Sequence, residues 1–380
     1  MARTRKRRWR GTLFLLMLVV GALAYVGWQR YATFSQSPLQ GIDAGQTLVV
    51  EPGDSLTVVV GKLRKAGVAV GQDIEWRLMA RQLKAAGRLQ VGEYALKPGT
   101  TARGLLEAMR DGDVISHRVT IVEGWNIRDL RAALARATPL KQTIGALDDA
   151  ELMRKVGRAG QHPEGRFLPE TYQYNTGDTD LEVLQRAHAA MEKALAAAWS
   201  ERHGGTMLKS PDEMLVLASI VEKETGIASE RPAIAGLFER RLRIGMRLET
   251  DPTVIYGIGS RYDGNIRRSD LTTDTPYNTY RRAGLPPTPI AMPGVAALKA
   301  VANPAPGDAL FFVAIGDGSG RHLFAKTYAE HQANVQMYLR NYRSQRAGAR
   351  SEGAAITTPA ATPSSTPPVA PATPGPTGTP

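Results

Sequence analysis

The first hydrophobic block of the chain is unbroken. From Gly11 to Trp28 about eighteen residues carry no charge, a length that as helix comes close to the hydrocarbon width of a bilayer. Beyond it the apolar positions fall into short periodic groups. Thr47–Val50 alternates into a turn at Glu51-Pro52-Gly53-Asp54, and Ser55–Ala66 has helical spacing. Gly67 and Gly71 then interrupt the chain, a second helix is expected over about Asp73–Ala86, and Val91–Lys97 alternates as a strand. One turn chemistry recurs. Pro52-Gly53-Asp54-Ser55, Pro98-Gly99-Thr100-Thr101 and Glu123-Gly124-Trp125-Asn126 each set a glycine turn and a Ser, Thr or Asn cap before an amphipathic helix. From Arg118 onward strands alternate with helices. Leu181–Arg202 is a long Ala-rich helix, Glu230–Ile244 another, Phe311–Ile315 a buried-looking strand and Thr327–Tyr342 a closing helix. The mixture predicts an α+β fold.

One segment is apolar on every side, which marks a buried helix. Ser210 can cap it, Pro211 suits its first position, Glu213 falls where a capping box wants a carboxylate, and Gly226 is a natural stop. Within it Leu215, Ala218 and Glu222 share one stripe, whereas Glu224 lies about 200° further round from Glu222. The spacing makes Glu222 the inward carboxyl and leaves Glu224 a structural residue. A carboxyl among apolar neighbours holds its proton more tightly, as a general acid must.

The segments that follow are rich in turn-formers, aromatics and neutral hydrogen-bonding side chains. They are Thr250-Asp251-Pro252-Thr253-Val254-Ile255-Tyr256-Gly257, Thr275-Pro276-Tyr277-Asn278-Thr279-Tyr280, Gly284-Leu285-Pro286-Pro287 and Ile290-Ala291-Met292-Pro293-Gly294. As loops they would offer rings to stack on a pyranose and amides and hydroxyls to pair with its alcohols. Asp251, Tyr277, Asn278 and Tyr280 are the candidate substrate-binding residues.

Composition narrows the picture. There is no cysteine, which removes disulfides, thiolate metal sites and thiol nucleophiles. The six histidines form no pair at metal-ligand spacing, so no metal is expected. The net charge of +12 invites a nucleic-acid reading, yet Arg3, Arg5, Lys6, Arg7, Arg8 and Arg10 crowd the segment ahead of the apolar run. They read as a positive-inside flank whose neighbour is anionic lipid, not nucleic acid. The N-terminus would then be cytoplasmic and everything after Trp28 would lie outside. Ala22-Leu23-Ala24 would fit a cleaved signal peptide, but the apolar run continues through Tyr25, Val26 and Trp28, which favours a retained anchor. From about Ala347 the chain is built of Pro, Thr, Ala, Ser and Gly and should be disordered.

The helix at Leu217–Gly226, the Thr250–Gly257 run, the Tyr-Asn-Thr-Tyr and Gly-Leu-Pro-Pro runs, the Glu164–Tyr172 segment and the Asn303-Pro304 neighbourhood occur in a fixed order. Together they resemble the endolytic murein transglycosylases, the YceG-like family. The β-α-α-β stretch, with its Pro-Gly-Asp-Ser-Leu opening, resembles the LysM module, a small binder of N-acetylglucosamine-containing glycans. Its helices are longer and its spacing looser than that module's, and a positioning spacer of the same fold is the alternative. The expected organisation is a basic segment over 1–10, an anchor over 11–30, the LysM-like subdomain over 45–115, the catalytic domain over 118–345 and the tail over 346–380.

The resemblance implies a lytic transglycosylase that cuts between N-acetylmuramic acid and N-acetylglucosamine of peptidoglycan strands without water or a cofactor. Glu222 would protonate the glycosidic oxygen and then, as carboxylate, take the proton of the C6 hydroxyl, closing a 1,6-anhydro ring and ending strand growth. One rival is a hydrolytic muramidase with Glu222 as acid and Asp251 as nucleophile or base. Another is a membrane-anchored glycan-binding scaffold with peptidoglycan synthases as partners. The expected location is the inner membrane, single-pass, with the catalytic domain periplasmic.

Overall fold

A computed structural model describes residues 2–68 and 71–353. Its contacts divide the chain into two units. The first holds residues 1–118 with 138–141 and 173–179, and the second holds the rest. The expected disordered tail lies, from residue 354, outside the described residues.

The first unit begins with helix α1, Ala2–Gln36. Its apolar stretch is solvent-exposed throughout, from Leu13 to Trp28. The helix does not stop there, as the sequence suggested, but runs on until Phe34 is buried in the unit's core. Strand β1 (Thr47–Val50) leads into α2 (Leu56–Lys65), where Ser55 accepts the Val58 N–H as N-cap. Next come α3 (Asp73–Gln82) and β2 (Gly92–Ala95), which pairs antiparallel with β1, Leu48 opposite Tyr94. Helix α3 ends four residues early because the chain turns at Lys84, whose φ of 55° is incompatible with a right-handed helix. Helix α4 (Ala102–Asp111) closes the unit, capped by Thr101. Leu63, Trp76, Met79, Leu105 and Met109 form its core.

Strand β3 (Ser116–Thr120) pairs with β4 (Thr171–Asn175), and between them lie α5 (Ile127–Arg136), capped by Asn126, and α6 (Asp149–Val156). The second unit then continues with α7 (Asp180–Ser200) and α8 (Pro211–Glu224). Helix α8 is its axis. Every residue from Met214 to Val221 is buried, packed by α7, by α9 (Arg231–Arg243) and by a later helix. Leu217, Phe238 and Leu298 meet in this core, where truncating one leucine to alanine typically costs about 2–5 kcal/mol.

The Thr-Asp-Pro-Thr-Val-Ile-Tyr-Gly run, expected as a loop, is helix α10 (Asp251–Ile258). Pro252 sits in its first turn, where the missing N–H costs nothing. The short α11 (Arg268–Thr272) and α12 (Val295–Ala302) follow. Strands β5 (Phe311–Ala314) and β6 (His322–Ala325) form an antiparallel hairpin, Phe312 opposite Phe324. Its loop needs glycine at 316, where φ is 77° and a Cβ would stand 2.9 Å from the Tyr338 carbonyl oxygen. The closing helix α13 spans Tyr328–Gly353, extending past the expected end at Tyr342.

Candidate active site

Helix α8 delivers two glutamates from its last turn to different surroundings. Ser210 caps its start by accepting the Glu213 N–H at 3.2 Å, and Glu213 reaches back to the Lys209 N–H. At the other end the backbone becomes extended at Thr225, one residue before the glycine.

Glu222 is inward, as its phase on the helix requires, but it faces no open space. Its side chain is 4% exposed and pairs with Arg231 at 3.0 Å through Oε1. Its Oε2 accepts the Gly294 N–H at 2.9 Å, just ahead of α12. Burial raises its pKa, while the Gly294 N–H and the Arg231 charge pull the other way. Both oxygens are thus committed to fastening α8 to the starts of α9 and α12.

Glu224, expected to be the structural partner, opens onto a cavity of about 660 Å³. Its Oε1 accepts a hydrogen bond from the Thr250 hydroxyl. Burial pushes its pKa up to about 7, the Thr250 hydroxyl lowers it, and the neighbouring Asp251 charge raises it again. This is the range in which a carboxyl can both give and take a proton at neutral pH.

Two motifs lock together to build that wall. The Thr250 N–H donates to the Thr279 hydroxyl at 3.1 Å, Thr253 and Thr279 share a bond of 2.9 Å, and the Tyr280 hydroxyl donates to Asp251 Oδ1 at 2.7 Å. Below them Arg241 spends its donors on main-chain carbonyls, on Leu248 and Leu310 at 2.7 Å each. It therefore buttresses the cavity floor and offers little to a ligand.

The other walls are aromatic and come from the end of the chain. Phe311, Phe312, Tyr338 and Tyr342 line the cavity, with His322 among them. Glu230 fixes that imidazole, accepting its backbone N–H at 3.0 Å and its Nδ1 at 2.7 Å. This pairing fixes the orientation of the ring, whose Nε2 is the other polar edge.

The site residues expected from sequence divide accordingly. Asp251 and Tyr280 line the cavity with Glu224. Asn278 does not. It is wholly buried, donating to the carbonyls of Asp270, Leu271 and Thr273 at 3.1, 3.1 and 2.7 Å and accepting the Tyr280 N–H at 2.9 Å. Its two amide hydrogens are shared among those three carbonyls, and burial closes its oxygen to a sugar. Tyr277 bonds Thr288 at 2.8 Å and packs edge-on against Tyr256 with ring centroids 4.8 Å apart, outside the cavity lining.

Sequence reasoning passed over His322, Glu230 and the buried Glu164. Glu164 receives the Ile127 N–H at 3.1 and 3.2 Å on its two oxygens, and burial pushes its pKa up to about 7. It anchors the start of α5. Among the described residues no group of three or more His, Asp or Glu side chains is placed to hold a metal ion.

The chain is similar in sequence to known proteins. The model of the YceG-like family matches residues 48–337. A Bacillus subtilis protein named endolytic murein transglycosylase is 29% identical over 307 residues, covering 76% of this chain and 84% of that protein. The Streptococcus pneumoniae protein of the same name is 26% identical over 363 residues, covering 86% of this chain and 64% of its own length. A solved structure of a YceG-like protein from Listeria monocytogenes aligns with a TM-score of 0.49 at 26% identity, over 77% of this chain and 99% of that one. A family match over most of the sequence decides kinship: this chain belongs to the YceG-like family.

Proposed function

We propose that the protein is an endolytic lytic transglycosylase of peptidoglycan strands, acting in the cavity of the second unit with Glu224 as both acid and base. The substrate class rests on kinship, since the relatives above are named endolytic murein transglycosylases. One observation carries the residue: a carboxyl with its pKa at about 7 borders a large cavity lined by aromatic rings and polar groups.

At neutral pH about half of such a carboxyl is protonated. Protonated Glu224 gives its proton to the glycosidic oxygen as the bond to N-acetylmuramic acid breaks. The resulting carboxylate takes the proton of the C6 hydroxyl of that same sugar, and the 1,6-anhydro ring closes. Acid and base are one group, so no second carboxylate and no metal enters. Asp251 and Tyr280 contact the sugar from beside Glu224, and the rings of Phe311, Phe312, Tyr338 and Tyr342 offer it stacking surfaces. Asn278 steadies this wall by accepting the Tyr280 N–H, while Glu222 ties α8 to the starts of α9 and α12.

Asp251 borders the same cavity, which favours one second reading, a hydrolytic muramidase with Asp251 as nucleophile or base. Against it, Asp251 follows directly on the Thr250 that bonds Glu224, and its charge reinforces the proton affinity of Glu224. Hydrolysis wants the two carboxyls on opposite faces of the sugar ring.

The protein would act from the membrane. Helix α1 is long and apolar enough to cross a bilayer. With the basic N-terminus in the cytoplasm it would hold both units outside the inner membrane, where cleavage of new strands would end their elongation. The first unit would serve as a LysM-like glycan contact or as a spacer, close to peptidoglycan synthases. The full-length protein should fractionate with membranes and keep its N-terminus; N-terminal sequencing that starts after Ala24 would exclude the anchor.

The deciding experiment digests purified peptidoglycan with the wild type, Glu224→Gln and Glu222→Gln, identifying new chain ends by mass. Anhydromuramic ends from the wild type, and a loss of about 10²–10⁴-fold in Glu224→Gln alone, are expected. Reducing ends would select the hydrolase. A larger loss in Glu222→Gln with an intact fold would return the chemistry to Glu222.

A further inference from the structure

We propose that the exposed face of α3, formed by Ile74, Arg77, Leu78 and Arg81, rests on the anionic surface of the bilayer that α1 crosses. The proposal builds on the membrane reading of α1 and adds a second contact from the folded first unit.

The geometry follows from one continuous helix. The turns of α1 that follow its apolar stretch belong to the first unit's core. Phe34 packs edge-on against Trp76 of α3 with centroids 5.3 Å apart, and Gly71 lacks a Cβ where the Phe34 ring lies. Arg30 pairs with Glu75 at 2.9 Å, and the Tyr31 hydroxyl donates to Gln82. Arg103 of α4 donates to the Ser35 hydroxyl at 3.2 Å. The apolar stretch and the unit are thus one body, and the depth of one sets the height of the other.

That height places α3 at the membrane surface. Tyr25 and Trp28, both exposed, suit the interface at the end of the apolar run. The α1 residues that meet α3 begin at Arg30 and end at Phe34, within about 10 Å of Trp28 along the axis at 1.5 Å per residue. A headgroup layer is about 5–8 Å deep on each side of the hydrocarbon. Helix α3 therefore lies beside or just above the headgroups.

Its outward face has the matching chemistry. Ile74 and Leu78, 55% and 52% exposed, stand one turn apart on the same side. Gln82 continues that row to the contact with Tyr31 of α1. Arg77 and Arg81 are exposed beside them. The acidic residues of the helix, Asp73 and Glu75, are already committed to Arg64 and Arg30. Two guanidiniums with no ion pair among the described residues, flanking two bare aliphatic side chains, are what an interfacial helix presents, carbon to the acyl boundary and charge to lipid phosphate.

The absence of cysteine makes the test direct. Nitroxides are attached to Leu78→Cys and, separately, to Leu16→Cys in the full-length protein, which is then reconstituted in vesicles. The vesicles are either all phosphatidylcholine or contain phosphatidylglycerol as well. Collisions with oxygen and with a water-soluble nickel chelate report immersion. With phosphatidylglycerol the Leu78 label should be shielded from the chelate and favoured by oxygen. Each of Arg77→Gln and Arg81→Gln should lower the engaged population about fivefold. A Leu78 label as open to the chelate as a free nitroxide, with Leu16 immersed, overturns the α3 contact and leaves the anchor standing. Leu16 open to the chelate overturns the membrane reading itself. Equal immersion of Leu78 in both vesicle types, unaffected by the arginine variants, overturns the anionic partner.

Discussion

Glu224→Gln should make the protein more stable at neutral pH while removing its activity. The reason lies in the position of the carboxyl. Its pKa rises from an ordinary 4.5 to about 7 because burial disfavours its charge. With a folded-state value above the unfolded one, the fold holds the proton more tightly than the unfolded chain does. That advantage is fully present below pH 4.5, is lost as pH rises through about 7, and leaves the folded state with a net cost above it. At about 1.4 kcal/mol for each tenfold step, the cost near pH 8 is on the order of 3 kcal/mol, and at pH 5 it is below about 1 kcal/mol. Glutamine has the same shape and no charge to bury. It loses part of this gain, on the order of 1 kcal/mol, where its amide lacks an acceptor. A unit of this size shifts its melting point by roughly 2–4 °C per kcal/mol. The variant should therefore melt about 4–8 °C above the wild type at pH 8 and close to it at pH 5. The assay is a thermal melt of both proteins across that range, paired with the peptidoglycan digestion. A Glu224→Gln protein that melts below the wild type at pH 8 but not at pH 5 would refute the argument, because it would mean the charge is stabilised where it sits.

Three other outcomes test the rest of the wall. Thr250→Val removes the hydroxyl that favours the charged form of Glu224, so the alkaline limb of the pH–rate profile should move to higher pH; a shift to lower pH would contradict the assignment. Arg231→Met leaves Glu222 buried without its counter-charge and should cost about 3–5 kcal/mol in denaturant unfolding, more than Glu222→Gln, which leaves Arg231 near Glu123 at 3.5 Å. Asn278→Ala strips the donor from three carbonyls and should cost about 2–3 kcal/mol of stability, measured by melting, where a sugar contact would instead have raised KM.

Much of the scaffold could be read from local chemistry. Ser55, Asn126 and Ser210 cap the helices expected of them because a cap needs only its own neighbours. The choice between Glu222 and Glu224 could not be made that way. On a helix buried all round, phase says which side chains share a stripe and not which stripe meets a cavity. The space beside Glu224 is made by Thr250, by Tyr280 and by a hairpin and helix that begin at Phe311, all far along the sequence. Inwardness was correct for Glu222, but the interior there is filled by Arg231 and the start of α12. Asn278 misled for a related reason. An amide in a polar turn looks available, yet three carbonyls at the end of α11 take up its donors. Asp251 and Tyr280 come to one cavity wall because the fold brings their two motifs together, which their residue types alone did not dictate.

The final helix bears on how the enzyme comes into being. Tyr338 and Tyr342 of α13 wall the cavity, and α13 packs on the β5–β6 hairpin that supplies Phe311, Phe312 and His322. A ribosome delivers Glu224 roughly a hundred residues before those walls. Throughout that interval the nascent chain carries Glu224 without those cavity walls. On the proposed reading, a chain cut short before Phe311 would carry Glu224 without the hairpin and helix that wall its cavity and should not cleave peptidoglycan.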